Sequence, residues 1–309
     1  MTIEFRIDYF RITVHTTLEN CEKLYKECFE FALGCLTDLE HGAKGFKNVL
    51  GALLGFQLKF NPGNDRNYCT FEFPGQVCGS IAPEQLIDFY NLTRIRKYKT
   101  HVTRLDFAFD NVPFSPFQFY QAFLNDANRN EDEKPIVRSL TQRETVNWAS
   151  TPLKIREDES GLGQDTCYFG ERSSMRFLRV YNKRGPTRLE LELKDERANL
   201  IASEILGKMA DEWPDLAISH LRDFIDIDLP WWYEFINNRD RAYMKLKYAE
   251  DVSLEKSEQW LLNQVSPTLA AVSEVTKGEF LLKMDNVGRK RMNKKHHSLI
   301  TAHKLMHPD

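Results

Sequence analysis

Residues 3–14, IEFRIDYFRITV, place apolar side chains at nearly every second position, the period of a half-buried strand. The period then changes: Leu18, Cys21, Tyr25, Cys28, Ala32 and Cys35 fall on one helical face and predict a helix over 17–36. Strand-like runs at 56–60 (FQLKF) and 68–74 (YCTFEFP) lead to a predicted helix near 83–96, opened by Pro83. A strand over 104–110 and a helix around 117–126 follow. The polar segments 128–134 and 157–165 read as loops. Strands over 166–169 and 176–183 flank a GERSS turn at 170–174, and TRLELELK at 187–194 alternates throughout. From Asp195 to about Gly278 helical periodicity dominates, with Trp231, Trp232 and Trp260 as bulky anchors.

Arg6-Ile7-Asp8-Tyr9-Phe10 is echoed by Arg104-Leu105-Asp106-Phe107-Ala108-Phe109, and a helix follows each. The expected fold is therefore α+β: duplicated strand–helix–strand–strand units around a mainly antiparallel sheet, with a helical C-terminal region. The expected division is 1–227 for the sheet domain and 228–309 for the mostly helical part with its basic tail.

Composition narrows the class. The longest apolar stretch, Val49 to Phe56, is far shorter than the ~20 residues that span a bilayer. The first ten residues, MTIEFRIDYF, carry acids and lack the apolar run of an export signal. Six cysteines without C-x-x-C spacing suit small buried hydrophobes in a reducing compartment, so the expected location is the cytoplasm. The net charge is −3, yet positive charge is clustered. Arg94, Arg96, Lys97, Lys99 and Arg104 occur with no acid between them. Residues 166–188 hold Arg172, Arg176, Arg179, Lys183, Arg184 and Arg188 against Glu171 alone. A third cluster, Arg289 to Lys295, precedes His296, His297, His303 and His307. Cationic islands in a net-acidic chain point to a polyanionic partner.

Strand alternation sorts the central polar residues onto faces. Asp106, Ala108 and Asp110 oppose Leu105, Phe107 and Phe109; Arg188, Glu190, Glu192 and Lys194 oppose Leu189, Leu191 and Leu193; Phe177, Arg179, Tyr181 and Lys183 oppose Leu178 and Val180. If these strands are neighbours, carboxylates from two of them and a tyrosine with flanking cations from the third share one face. That composition suits phosphodiester chemistry with a hard divalent ion, Mg²⁺ or Mn²⁺, on the carboxylates. The ion, Lys183 or Arg179 would lower the barrier to a Tyr181 phenolate. The same alternation also describes an ordinary half-solvated strand, so patterning alone leaves both readings open. No G-x-S-x-G, P-loop or G-x-G-x-x-G is present, and His296-His297 lacks zinc-ligand partners.

The segments 104–110 (RLDFAFD), 166–170 (TCYFG), 176–183 (RFLRVYNK) and 188–194 (RLELELK) resemble, in order and spacing, the motifs of the replication initiation factor (Rep_trans) family. The family includes rolling-circle plasmid initiators with related conjugative-element relaxases and phage initiators. The resemblance implies a site- and strand-specific DNA nicking and joining enzyme that forms a 5′-phosphotyrosyl intermediate and depends on a divalent metal. By it the tyrosine of Tyr-Asn-Lys, Tyr181, is the nucleophile; Asp106 and Glu190 hold the metal, with Glu192 a third ligand. The chain has no His-apolar-His motif, in keeping with a family that relies on carboxylates. Expected partners are double-strand origin DNA, the nicked single strand, a host helicase and a second copy of the chain. The basic residues expected on DNA are Arg94, Arg96, Lys97, Lys99, Arg172, Arg176, Arg184 and Arg188. Because the chain starts almost at its first predicted strand, origin recognition is expected from the catalytic domain or the C-terminal helices. The alternative function is a non-catalytic DNA-binding replication or transcription regulator; a metal nuclease without a covalent intermediate is a third.

Overall fold

The computed structural model describes residues 3–43, 45–61, 67–130, 134–139, 153–156, 166–183, 185–237, 239, 258 and 261–292, and structural statements concern these residues. Arg184, the 157–165 loop, Trp260 and the histidines after 292 lie outside them. By compactness the chain divides into two units, Met1–Met244 and Lys245–Asp309.

In the first unit the strand β1 (Glu4–His15) leads into α1 (Leu18–Cys28) and the single turn α2 (Glu30–Leu33). The helix expected over 17–36 breaks at Phe29, whose φ/ψ of −130°/−20° leaves the helical region, and Cys35 is exposed beyond it. Strands β2 (Thr37–Asp38), β3 (Asn48–Gly51), β4 (Gln57–Phe60) and β5 (Cys69–Phe73) fold back toward β1. The turn α3 (Gly75–Cys78) and helix α4 (Pro83–Ile95) complete the first half. The second half repeats the plan. It comprises β6 (Lys99–Asp110), α5 (Pro116–Ala127), β7 (Val137–Ser139), β8 (Leu153–Arg156), β9 (Thr166–Phe169), β10 (Arg176–Asn182) and β11 (Thr187–Lys194). Helices α6 (Asp195–Ile205) and α7 (Trp213–Phe224), strand β12 (Ile225–Ile227) and helix α8 (Pro230–Ile236) follow.

Ten described strands form one sheet in the order β2-β3-β4-β5-β1-β6-β11-β10-β9-β8, and every pairing in it is antiparallel. The two echoed strands, β1 and β6, lie side by side at its centre. Each half closes on its own first strand, β5 on β1 and β11 on β6, as the duplicated plan requires. β12 pairs with β7 in a separate ribbon that hydrophobic patterning did not announce.

One sheet face is apolar and packs under the helices. Phe29 and Phe89 from the first-half helices meet Phe73 and Phe71 at 5.0 and 4.9 Å, while Phe123 and Phe224 both reach Phe169 at 5.1 Å. Residues 228–237 belong with this unit: Trp232 is fully buried, and Phe235 packs on Phe109 at 5.4 Å and on Phe114 at 5.7 Å. In the second unit, α9 (Ser266–Val275) and α10 (Glu279–Lys290) meet through Gly278, whose φ of +84° is left-handed. Among the described residues, no helix is long and apolar enough to cross a membrane.

Because Phe235 is fully buried among rings, Phe235→Ala should cost about 3–5 kcal/mol of stability. Denaturant unfolding of the full chain checks this; a loss below about 1 kcal/mol would mean that α8 is not part of the sheet unit.

Candidate nicking site

The polar face is assembled as the alternation requires. In register, Asp106 stands beside Glu192, Ala108 beside Glu190 and Asp110 beside Arg188 across β6 and β11; Glu190 stands beside Arg179, and Arg188 beside Tyr181, across β11 and β10. The face also takes in β1, where the register shifts between Ile7 and Tyr9 and leaves Asp8 in a bulge. Bulges re-aim a side chain, and here Asp8 joins the carboxylates of the second half. It escaped the sequence reading although the Arg-apolar-Asp-aromatic echo marked it as the counterpart of Asp106.

Far from being a solvated surface, this face buries its charges. Asp106, Arg188, Glu190 and Glu192 are all at most 3% exposed, so each needs a partner. Tyr181 donates its hydroxyl to Glu190 Oε2 at 3.0 Å, and Arg179 pairs with Glu190 Oε1. Arg104 donates to Asp106 at 2.6 Å and to Glu192 at 3.0 Å, and Lys194 also holds Glu192 at 2.8 Å. Arg188 forks onto Asp110 at 2.5 and 2.6 Å and reaches Asp8 at 2.9 Å. Arg6 closes the ring by donating to Asp110 at 2.5 Å.

These surroundings set the proton affinities. Burial, then the nearby Glu190 charge, pushes Asp8 up to about 6 against the pull of Lys183 and Arg6. Burial pushes Asp106 up to about 7; Arg104 opposes this, while Glu190 and Glu192 add to it. Glu192 lies below the ordinary carboxylate value because Lys194 and Arg104 outweigh its burial. The Tyr181 phenol is raised by burial and by Glu190, and Arg179 lowers it by less. Arg179 does lower the phenol, as a neighbouring cation is expected to, but it is also paired with Glu190, and burial and Glu190 outweigh it in the resting protein.

A groove of about 660 Å³ opens on this face, lined by Arg6, Asp8, Gln76, Ser80 and Lys183 among others. Gly75 makes room for it, since a Cβ there would stand 3.0 Å from the Asp8 carbonyl oxygen and 3.3 Å from its carboxylate. Lys183 sits at the groove just past the end of β10, two residues after Tyr181.

Not every basic residue expected on DNA lies on the surface. Alternation along β10 places Arg176 with Leu178 and Val180 on the helix side, where it is buried, pairs with Asp223 at 3.0 Å and covers the Phe224 ring at 4.6 Å. Leu178 and Val180 carried that signal in the sequence. Arg188, 1% exposed, is a structural clamp instead of a surface cation. Arg96 holds Glu27 at 2.6 Å. Arg94, Lys97, Lys99 and Arg172 are exposed. Arg172 acts on the charge of Glu192, which places it near the carboxylate face.

Asp8, Asp106 and Glu190 offer hard oxygen donors from three adjacent strands, and the charge of Glu190 bears on both aspartates. In donor chemistry they fit a divalent ion. As they stand, no three His, Cys, Asp or Glu side chains among the described residues are gathered closely enough to hold a metal. Glu192 is the least suited of the expected ligands because two cations occupy it.

A family model described as replication initiation factor matches residues 100–287. A replication initiation protein of Staphylococcus aureus is 28% identical over 115 residues, which is 36% of this chain. The match spans about a third (34%) of that relative's length. A solved structure of a rolling circle replication initiator protein from Geobacillus stearothermophilus is similar in fold, with a TM-score of 0.57 at 18% identity. It covers 79% of this chain and 100% of that one.

An aspartate that is a weaker acid when folded binds protons more tightly in the native state, so its contribution is full below the ordinary value of 3.8 and is lost as pH rises through about 7. Relative to the wild type, Asp106→Asn should therefore gain on the order of 2–4 kcal/mol between pH 4 and pH 8. Urea unfolding of both proteins across that range measures it; a pH-independent difference would show that Asp106 is ionised throughout.

Proposed function

Because the chain belongs to the replication initiation factor family, we propose that it initiates rolling-circle replication by nicking and rejoining one DNA strand through Tyr181. The observation that carries this reading is the Tyr181 hydroxyl donating to Glu190 at the centre of a buried carboxylate face, beside an open groove. Tyr181 attacks the scissile phosphorus as Glu190 accepts its proton. A bond forms between the phenolic oxygen and phosphorus, the bond to the 3′ oxygen breaks, and that oxygen takes up the proton that Glu190 accepted and leaves as a 3′ hydroxyl. The 5′-phosphotyrosyl product keeps the energy of the broken diester, so rejoining is the reverse step and needs no nucleotide.

Arg179, across the other Glu190 oxygen, orients that carboxylate and then faces the phosphate charge. Lys183 and Arg6 line the groove and position the backbone of the incoming strand. Asp8 and Asp106 would hold Mg²⁺ or Mn²⁺, which when bound supplies Lewis-acid polarisation of the phosphate, while Glu190 beside them handles the proton. Origin DNA is the substrate on this reading, with a host helicase and a second copy of the chain as expected partners.

Tyr181→Phe should abolish nicking of a supercoiled plasmid carrying the protein's own origin and leave origin binding within about twofold. Undiminished nicking would remove Tyr181 from the chemistry, and Tyr168, partly exposed and stacked on Phe177 at 5.7 Å, would be the next residue to test.

Mn²⁺ at pH 8 should raise the melting temperature of the wild type and do so far less in Asp106→Asn, since the ion relieves charge that the variant lacks. Equal shifts would deny Asp106 a ligand role.

Arg172→Ala with Lys183→Ala should flatten the log–log salt dependence of origin binding by up to roughly 2, at a slope of about −0.9 per phosphate contact. The same slope in variant and wild type would place the DNA elsewhere.

A further inference from the structure

A second pocket, of about 300 Å³, lies on the same polar face in the first half of the sheet. Arg11 and Thr13 of β1, Lys59 of β4 and Thr70 and Glu72 of β5 form its floor, and Phe46 and Tyr68 stand beside them. Its polar groups are in place: Thr13 and Thr70 share a hydrogen bond at 3.0 Å, and Arg11 donates to Thr103 at 2.8 Å.

The floor holds the same three kinds of group as the site around Tyr181, although Tyr9 and Lys59 come from the strands on either side of Glu72 while Tyr181 and Arg179 share β10. Tyr9 donates its hydroxyl to Glu72, which also pairs with Lys59; Tyr181 donates to Glu190, which also pairs with Arg179. The two halves differ in what surrounds the glutamate. Glu190 has the charges of Asp8 and Asp106 close by, whereas Thr13 and Thr70 take the neighbouring positions beside Glu72. Hydroxyls in place of carboxylates suit binding and do not suit gathering a divalent ion.

The mouth is aromatic, with Lys99 beside it and the Asp195 carboxylate also in the lining. The Phe46 and Tyr68 rings are 6.0 Å apart, and His15 is 5.8 Å from Tyr68 on the other side. All three are at least partly exposed. Lys99 and His101 stand opposite His15 and Thr13 on β6, and their charge holds the His15 imidazole below its ordinary value, after the larger effect of burial. A row of exposed rings flanked by cations offers stacking to unpaired bases and charge to the phosphates between them. Duplex DNA keeps its bases stacked inside, so only a single strand can use such a row.

We propose that the pocket and its row Phe46–Tyr68–His15 form a subsite for single-stranded DNA, which takes an unstacked base of the strand opened at the nick. The proposal rests on the initiator reading for the source of that strand. Four strand spacings of about 4.8 Å separate β10, which carries Tyr181, from β5, so the opened strand crosses roughly 19 Å of the same face between the two sites.

The test is fluorescence anisotropy of the full chain with a labelled oligo-dT single strand and with a duplex of the same length. Tyr68→Ala should weaken the single strand about 10-fold, leave the duplex within twofold, and be rescued by Tyr68→Phe. If Tyr68→Ala does not fold, Lys99→Ala at the exposed mouth should flatten the single-strand salt slope by about 0.7. Single-strand binding that neither variant changes, or an equal loss on duplex, overturns the subsite. A covalent adduct mapped to Tyr9 also overturns it, by making that trio a second cleavage centre. Nicking of the supercoiled plasmid, run in parallel, separates the two readings. Nicking without Tyr68-dependent binding sinks the subsite alone, and Tyr68-dependent binding without nicking sinks the initiator reading alone.

Discussion

Arg188 is fully buried, and the carboxylate face is organised by the need to satisfy it. A guanidinium taken out of water costs several kcal/mol unless its donors find oxygens in good geometry. Its fork meets Asp110 and its remaining arm meets Asp8, so one side chain ties β11 to both β6 and β1. Those three strands carry the carboxylates proposed for metal and proton handling. The same contacts that keep the sheet from losing a buried charge therefore fix where Asp8 stands relative to Glu190.

The duplicated plan of the sheet was legible because strand alternation has a period of two and neighbouring strands share faces. Leu189, Leu191 and Leu193 could only be core, which sent Glu190 and Glu192 to the other side. Three things were not legible. The depth of burial depends on what lies across the face: Tyr9 beneath Arg104 at 4.1 Å is a contact between strands almost a hundred residues apart. The basic run around Arg176 masks its inward position: only its parity with Leu178 and Val180 gives that away, and nothing in the run shows Asp223 as its partner. β7 and β12 are three residues each, too short for a period to show, and they pair across nearly ninety residues.

Two copies of one plan, side by side, give a single continuous polar face with two Tyr–Glu–cation trios. The halves diverge in charge density. The second half shares Asp8 with the first through the β1 bulge, so Asp8 from one copy and Asp106 from the other both stand in Glu190's surroundings. Excess negative charge suits a site that must hold a cation and handle a proton. A floor whose threonine hydroxyls stand where the other half has carboxylates, next to aromatic rings, suits one that must hold a base. On this account duplication supplied the length of face that a nicked strand needs, and divergence assigned chemistry to one end of it.

A protonated Tyr181 in the resting protein is consistent with a nucleophile that must stay silent away from its target. Burial and the Glu190 charge together hold the phenol above its ordinary value, and the cation that opposes them is already paired. Three changes accompany an arriving strand on the proposed function. A phosphate beside Arg179 would compete with Glu190 for the guanidinium; Asp8 and Asp106 would hold the cation whose charge offsets their own; and Glu190 would be left as the acceptor within hydrogen-bond distance of the hydroxyl. Each change follows from Coulomb's law in a partly desolvated site. Together they tie deprotonation of Tyr181 to the presence of the phosphate it attacks, so the free protein's low nucleophilicity and the bound protein's reactivity come from the same few side chains.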